Sequence, residues 1–473
     1  MAMDNNVDLK AARLDPQIGD ARVAAATGAF RPVVSTGLQR NNQLQPPASF
    51  LVPVATRTDI TSSNVALGQQ LPWFGASYSF GWDTSHTESN SFLNSYNPLV
   101  RSGLAFSISQ PLFLKNFKTD ASRTNLDMSL TTRDVADTRL LESLVRTTAS
   151  VKAAYWGLVS ARALVDARKS ALELAEELAR VNNARVTVGQ APPLDLLAAQ
   201  AEVAANQEQL IVAEAGERLV EDRLRLLIFD ATDRSVWSVR LNPVDSPAVG
   251  TTPLDVDAAV TNALKDRADL TRARLDIKNV DSQIALAGNS RLPDVRLNAT
   301  YQANGLSGTE VLRSGGFPGT IVGAGTSSGL GSAIDQLFRS DYPTWAVGVS
   351  VSYPIGRSIA DAEYARARLE KDQAVERVKG SQARVIQQVR DAAWKVEMNA
   401  KRIDTSRATR DLAEQRLDAE RRRFEVGMST SFLVIQAQRD LADARQRELS
   451  AVLAYNLSLI DFEALQQAGP SGT

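Results

Sequence analysis

The chain carries its own plan twice, which confines it to folds built from two copies of one unit. Two ungapped registers make the repetition visible. The segment DLKAARLD at Asp8 to Asp15 returns as DLTRARLD at Asp269 to Asp276, and the same offset of 261 carries Pro32 onto Pro293. Farther along, an offset of 238 sets Val151, Ala154, Trp156, Asp166, Leu174 and Ala175 on identical residues at 389, 392, 394, 404, 412 and 413. That register continues through Glu176, Arg185, Val188, Gly189, Ala199 and Gln200, matched at 414, 423, 426, 427, 437 and 438. The sequence therefore divides into a first repeat at 1–230, a connector at 231–253, a second repeat at 254–468 and a tail at 469–473. Each repeat opens with a helix ending near its proline, passes through β segments, and enters a long helical pair broken at Val-Gly.

The helical pairs have the spacing of a coiled-coil seam. Apolar residues recur every seventh position at Val151, Leu158, Val165, Leu172, Ala179 and Val186, with charged residues between them. The second half answers with Val389, Val396, Ile403, Leu417 and Phe424, interrupted only by Arg410. A helix from 142 to 188 spans on the order of 70 Å at 1.5 Å per residue, a length that needs other helices to lie against. Gly189 stands as a C-cap glycine, Pro192 and Pro193 sit where a new helix tolerates proline, and Asp195 reads as an N-cap opening the next helix. Leu196, Val203 and Leu210 continue the spacing of seven, so each half holds a helical hairpin. Its second tip is VGMSTSFL at Val426 to Leu433. A structural helical rod accounts for the heptads equally well; the β segments separate the two readings.

From Trp345 to Tyr353 the sequence alternates without a break, with Trp345, Val347, Val349, Val351 and Tyr353 on one face and Ala346, Gly348, Ser350 and Ser352 on the other. The same pattern sets Val295, Leu297, Ala299 and Tyr301 against Arg296, Asn298, Thr300 and Gln302, and Leu104, Phe106 and Ile108 against Ala105, Ser107 and Ser109. In an outer-membrane barrel the apolar face meets lipid and the small polar face lines water, and aromatics at strand ends suit the interfacial girdles. Between the β segments of the second half, residues 305–341 form a Gly- and Ser-rich stretch, read as a long external loop. So few strands cannot close a barrel alone, and open edges in lipid leave backbone groups unsatisfied, so other copies of the chain are required.

Composition narrows the chemistry. Lys and Arg number 53 against 54 Asp and Glu, which removes a charge-driven nucleic-acid reading. There is no cysteine, hence no disulfide, thiolate metal site or cysteine nucleophile, and a single His86 in TSHTESNS reads as a solvated loop residue. No catalytic or phosphate-binding motif stands in its structural context, so no enzyme, cofactor or metal is expected. No stretch reaches the roughly 18 consecutive apolar residues of a membrane-spanning helix. The opening residues MAMDNNVDLKAARLD carry no apolar signal region, so either the chain is cytosolic or its export signal has been removed, the second being the reading favoured here.

Taken in order, SQPLF at Ser109 to Phe113, its partner SYPI at Ser352 to Ile355, AAYWGLVSA at Ala153 to Ala161, VGQAPPLDLLAAQAEV at Val188 to Val203 and VGMSTSFLVIQAQRDL at Val426 to Leu441 resemble the TolC-like outer-membrane efflux protein family. The resemblance spans essentially the whole chain. It implies a homotrimer with a twelve-stranded barrel in the outer membrane, continued by a twelve-helix barrel across the periplasm, with a mixed belt between them that includes 235–264. It also implies passive conduction, docking onto a periplasmic adaptor, and an inner-membrane RND, ABC or major-facilitator pump. The gate is expected at the hairpin tips, among Gly189, Pro192, Pro193, Asp195, Gly427, Ser429, Leu433 and Gln436.

Two departures from the family pattern stand out. Where family members place acidic gate residues after the second tip, this chain has Leu433 and Gln436, so a ring of carboxylates would rest on Asp195 alone; as a helix cap, Asp195 has a simpler role. The first half also carries an extra alternating pair, Val65, Leu67 and Leu71 with Tyr78, Phe80 and Trp82, around LPWFG. It fits either a widening of the barrel by two strands per subunit or an extracellular or equatorial hairpin. The competing reading from another class, a periplasmic coiled-coil adaptor or structural protein, does not expect two sets of lipid-suited strands.

Overall fold

The computed structural model of the chain describes residues 2–47, 55–245, 247, 254–316, 319–353, 355–356 and 358–469. The connector is thus described only in part, and Pro354 of the SYPI segment, residues 317–318 of the Gly-rich stretch and residues 470–473 of the tail lie outside the described residues. In chain order, three helices come first: α1 (Ala2–Asn5), α2 (Val7–Ala12) and α3 (Leu14–Gly28). Four strands follow: β1 (Val33–Gln45), β2 (Thr56–Gln70), β3 (Ser77–Ser89) and β4 (Tyr96–Pro111). Then come α4 (Ala121–Thr187), α5 (Pro193–Ile228), a 3-10 turn at Arg234–Ser238, α6 (Val256–Asp266) and α7 (Ala268–Ser290). The chain closes with β5 (Asp294–Ser314), β6 (Thr320–Ser327), α8 (Leu330–Arg339), β7 (Tyr342–Ser352), α9 (Ile359–Glu425) and α10 (Ser431–Leu465). The chain forms two compact units, one of residues 1–19, 132–277 and 373–473, the other of 20–131 and 278–372. Each unit draws on both halves of the sequence.

The first unit is helical. α4 and α9 are each 67 residues long, about 100 Å at 1.5 Å per residue, and they start 238 residues apart, at Ala121 and Ile359. The seam expected in the second half is the one observed: Val389, Val396, Ile403, Leu417 and Phe424 are all buried. Arg410, the interruption, binds Asp411 beside it and reaches Glu448 of α10 at 3.4 Å, so its charge lies paired at the rim of the seam. In α4 the seam holds at Leu158 and Val165 and then moves to Ala175, Leu178 and Asn182. In α5, Leu196, Val203 and Leu210 are half-buried, and the buried line runs instead through Ala199, Glu202 and Asn206. The polar members of that line bond one another, Asn206 donating from Nδ2 to a Glu202 carboxylate oxygen at 3.1 Å, which is what lets them sit inside.

The connection into the second helical half is held by one buried guanidinium. Arg267, between α6 and α7, donates to Asp269 at 2.9 Å and to the Gln388 side-chain oxygen of α9 at 2.7 Å. Asp255 caps α6, its carboxylate accepting from the Ala258 amide at 2.9 Å. Around them Ala259, Ala263, Leu270, Val385, Val389 and Tyr455 form one buried cluster.

The second unit is an antiparallel sheet in the order β1-β2-β3-β4-β5, with β7 and then β6 along the far side of β5. Two sequence expectations are corrected here. His86 lies within β3 and not in a loop, its Nε2 3.3 Å from a Glu88 carboxylate oxygen, because the Thr/Ser-rich segment continues a strand beyond its apolar part. The Gly-rich stretch is not one long loop: it contains the end of β5, the strand β6 and the helix α8. β6 opens on the strand formers Thr320, Ile321 and Val322, and pairing with Thr309 to Ser314 of β5 carries it on past Gly323 and Gly325.

α8 packs on the sheet where the sheet has no side chains to offer. Its Ala333 lies against Gly305, with Leu337 also buried, Gln336 bonds the Leu306 backbone in both directions at 2.9 and 3.0 Å, and the Tyr301 hydroxyl meets Ser340 Oγ at 3.1 Å. A Cβ at Gly305 would stand 2.0 Å from the Ala333 carbonyl oxygen. Gly305→Ala therefore has to displace α8, at about 1–3 kcal/mol for overpacking. The expected result is faster proteolysis between β6 and β7 with unchanged melting of the helical unit; equal proteolysis rates would show that α8 does not depend on this approach.

Candidate functional site

Two surfaces carry the functional argument, one in each unit: the tips of the helical hairpins and the two-faced sheet.

The tips end by the same backbone device. Gly189 has φ 71° and Gly427 has φ 76°, both left-handed. The amide of Gln190 donates to the Arg185 carbonyl at 2.8 Å, and that of Met428 donates to the Arg423 carbonyl at 2.7 Å, the six-to-one bond of a Schellman cap. After the first tip the N-cap is Pro192 with Pro193 at the first helical position, not Asp195. Pro193 has its φ preset for a helix and no amide to leave unsatisfied, so α5 starts two residues early and Asp195 falls inside the first turn. Its carboxylate caps nothing, though it lies at the positive end of the helix dipole. The Asp195 carbonyl accepts from Asn182 Nδ2 at 3.2 Å.

Ser429 and Gln436 are engaged locally. Ser429 Oγ bonds Glu420 at 2.7 Å, and Gln436 bonds Asp440 at 2.9 Å, the same carboxylate that takes Arg416 at 2.8 Å. Leu433 remains partly exposed, beside a set of open apolar side chains: Val188, Leu194 and Leu197 on one tip, Val426, Met428 and Phe432 on the other.

What joins the two tips was not among the gate positions expected from the sequence. Asn182 is fully buried and donates to Ser431 Oγ at 2.6 Å across 249 residues of chain. Arg185 lies with its guanidinium carbon 4.1 Å above the Phe424 ring and donates to the Phe424 carbonyl at 2.9 Å, so it caps the C-terminal end of α9 from the other hairpin. Beneath them Leu178, Leu417, Phe424, Val434, Ile435 and Leu441 form a closed core. Farther along, buried Glu202 of α5 takes Arg439 of α10 at 2.6 Å, and this hydrogen bond raises the guanidinium above its ordinary range. The signal available in the sequence was the identity of Arg185 and Arg423 under the 238 offset, but only the structure separates their roles.

Along the part of the sheet nearest its junctions with the helices, one face is apolar and the other polar. Register pairs Leu67 with Phe80, Phe80 with Phe106, Phe106 with Tyr301, and Tyr301 with Trp345, so one row crosses five strands on one face. Val34 on β1 pairs with Leu67 and extends the row to the sixth. The opposite row is small or polar: Gly68, Ser79, Ser107, Thr300 and Ala346. Farther along β1 the outward face turns polar, with Arg40 paired to Asp59 at 2.8 Å. At the other end of the sheet Phe74 stacks on Phe117 with centroids 4.9 Å apart, and Trp73 and Phe113 stand exposed beside them. No group of three or more potential metal ligands occurs among the described residues.

Comparison with known proteins follows the same lines. A protein-family model described as outer membrane efflux protein matches residues 54–228 and 259–467. The chain belongs to the outer membrane efflux protein family, a family of channel proteins of the TolC-like kind. Among solved structures it is similar to a membrane protein from Pseudomonas aeruginosa, with 17% identity and TM-score 0.70 over 98% of this chain and 91% of that one. It is also similar to the outer membrane protein VceC from Vibrio cholerae, with 16% identity and TM-score 0.67 over 98% and 94%. A third likeness is to the CmeC outer membrane channel of Campylobacter jejuni, with 15% identity and TM-score 0.66 over 98% and 84%. Identities this low establish the shared fold. No curated protein sequence matches the chain.

Arg185→Leu removes both the carbonyl cap and the ring contact, and should loosen the end of α9 by about 1–2 kcal/mol. Hydrogen exchange at the amides of 424–428 should accelerate accordingly, while Arg423→Leu, which frees only Glu420 on its own helix, leaves it nearly unchanged. Equal effects of the two substitutions would remove Arg185 from this role.

Proposed function

We propose that the chain is the exit duct of a tripartite efflux or secretion system: three copies form one channel that conducts, unmodified, the solutes delivered by an inner-membrane pump. The observation that carries this reading is the sheet with an apolar row on one face, a small polar row on the other, and, among the described residues, unpaired outer edges at β1 and β7. Such a sheet is stable in a bilayer only when neighbouring copies close it, with the apolar row against outer-membrane lipid and the polar row around water. The helical unit is the part suited to the periplasm: its long helices are amphipathic, and no described helix is long and apolar enough to cross a membrane.

The sequence halves 1–230 and 254–468 act as structural repeats that contribute equivalent helical hairpins to the trimer. Their tips form the periplasmic mouth, with Gly189, Pro192, Pro193, Asp195, Gly427, Ser429, Leu433 and Gln436 as gate positions. The apolar side chains exposed around the tips suit docking by a periplasmic adaptor, whose engagement splays the hairpins. The pump is of the RND, ABC or major-facilitator type. The mechanism is geometric: nothing is bound or transformed, and flow is set by whether the tips are together or apart.

The test is to express the chain behind an export signal, fractionate the membranes, and record single-channel conductance from detergent-purified protein in planar bilayers. Recovery from the outer membrane as a heat-resistant trimer is expected, with a small conductance that rises severalfold when Arg185→Leu is introduced. A soluble monomer without conductance would overturn the reading.

A further inference from the structure

We infer that the β2–β3 hairpin is part of the membrane wall, so that each copy supplies six strands and a trimer closes an eighteen-stranded barrel in place of the twelve strands that four per copy would give. The inference rests on the trimeric duct proposed above. Three observations carry it. First, the hairpin is not an appendage: β2 pairs with β1 over thirteen positions and β3 with β4 over eleven, so removing the pair would break the sheet between β1 and β4. Second, it carries the same two faces in the same register, with Val65, Leu67, Phe80 and Trp82 on the apolar side and Asn64 and Ser79 on the polar side. An equatorial or external hairpin would have no use for that partition.

Third, its turn is anchored at the end of the sheet where strands and helices join. The Leu71 amide bonds the Ala76 carbonyl at 2.7 Å, Gln110 donates to the Phe74 carbonyl at 3.0 Å, and Ser122 of α4 bonds Gln70 at 3.0 Å. Gly75 has φ 65°, and a Cβ there would lie 2.2 Å from the Asn116 carbonyl oxygen, so the turn approaches the β4–α4 junction backbone to backbone. The hairpin thus spans from the junction outward, as its neighbours do.

The strand count also closes. Six successive antiparallel strands leave β1 and β7 running in opposite directions, so β7 of one copy meets β1 of the next antiparallel. Barrel diameter grows roughly linearly with strand number, so eighteen strands make the bore about one and a half times that of twelve, in the range where barrels hold an open aqueous channel. The membrane section is then not the narrow point of the duct, and bulky solutes that pass the tips leave freely.

The chain has no native cysteine, so spin labels can be placed singly. Phe80→Cys and Ser79→Cys report the two faces of β3; Val349→Cys and Ser350→Cys report the two faces of β7 and serve as the reference. In reconstituted protein, labels at 80 and 349 should be relaxed by oxygen dissolved in lipid, and labels at 79 and 350 by a water-soluble nickel complex. Native mass spectrometry should give three copies. Contrast at β7 with both β3 labels water-accessible would overturn the six-strand wall and leave the duct standing. No contrast at either strand would sink both, and a two-copy complex would overturn the count of eighteen.

Discussion

A strand in hydrocarbon can satisfy its amide and carbonyl groups only with another strand, and most of this architecture follows from that constraint. In the proposed duct it suits the antiparallel succession from β1 to β7, forbids an open edge in the membrane, and would leave a single copy incomplete. The same constraint favours strands in pairs: one strand more or fewer between β1 and β7 would leave those two parallel and put the junctions to α3 and α9 at opposite ends of the sheet. Insertion by whole hairpins keeps every connection to the helices where it was.

The helices answer a different demand. In the aqueous unit, backbone groups are satisfied within each helix, so the freedom lies in side chains, and burial does the selecting. The buried charged residues here are held by partners: Glu202 with Asn206 and Arg439, Arg267 with Asp269 and Gln388. These are the positions where the seam is not oily, and each of them ties one helix or sequence half to another. A seam of Leu and Val alone would pack well and specify alignment poorly, whereas a buried carboxylate accepts only the register that brings its arginine.

Legibility in the sequence followed the range of the interaction. The second-half seam was readable at every position but Arg410 because a heptad repeat is local. The first-half seam was lost near Asn182, whose burial depends on Ser431, 249 residues away. β7 was readable by strict alternation, but β6 was not, since its Thr320-Ile321-Val322 opening does not alternate and is followed by Gly323 and Gly325, and its pairing partner lies on β5. His86 was misplaced because a strand beyond the apolar band is as polar as a loop. Asp195 was given a cap it does not make because Pro193, two residues earlier, starts the helix sooner. The β2–β3 hairpin was visible as an alternating pair, while its place inside the sheet needed the register of four strands at once.

The 238 offset makes the two tips comparable residue by residue, and the comparison shows how a repeat becomes a mechanism. Arg185 and Arg423 occupy equivalent positions, and both backbones close the same glycine turn. Position 182 is Asn, whereas its equivalent at 420 is Glu; position 431 is Ser, whereas its equivalent at 193 is Pro. With Glu420 beside it, Arg423 is held on its own helix at 3.1 Å and Ser429 is held with it. With neutral Asn182 beside it, Arg185 has no local carboxylate and reaches the carbonyls at the end of α9 instead. One hairpin therefore clamps the other, through a neutral polar bond and a charge on a helix end, each weaker than a buried ion pair. That is the strength a tip needs if docking a partner is to part it: enough to hold the tips together at rest, and little enough for the binding of a modest apolar surface to overcome.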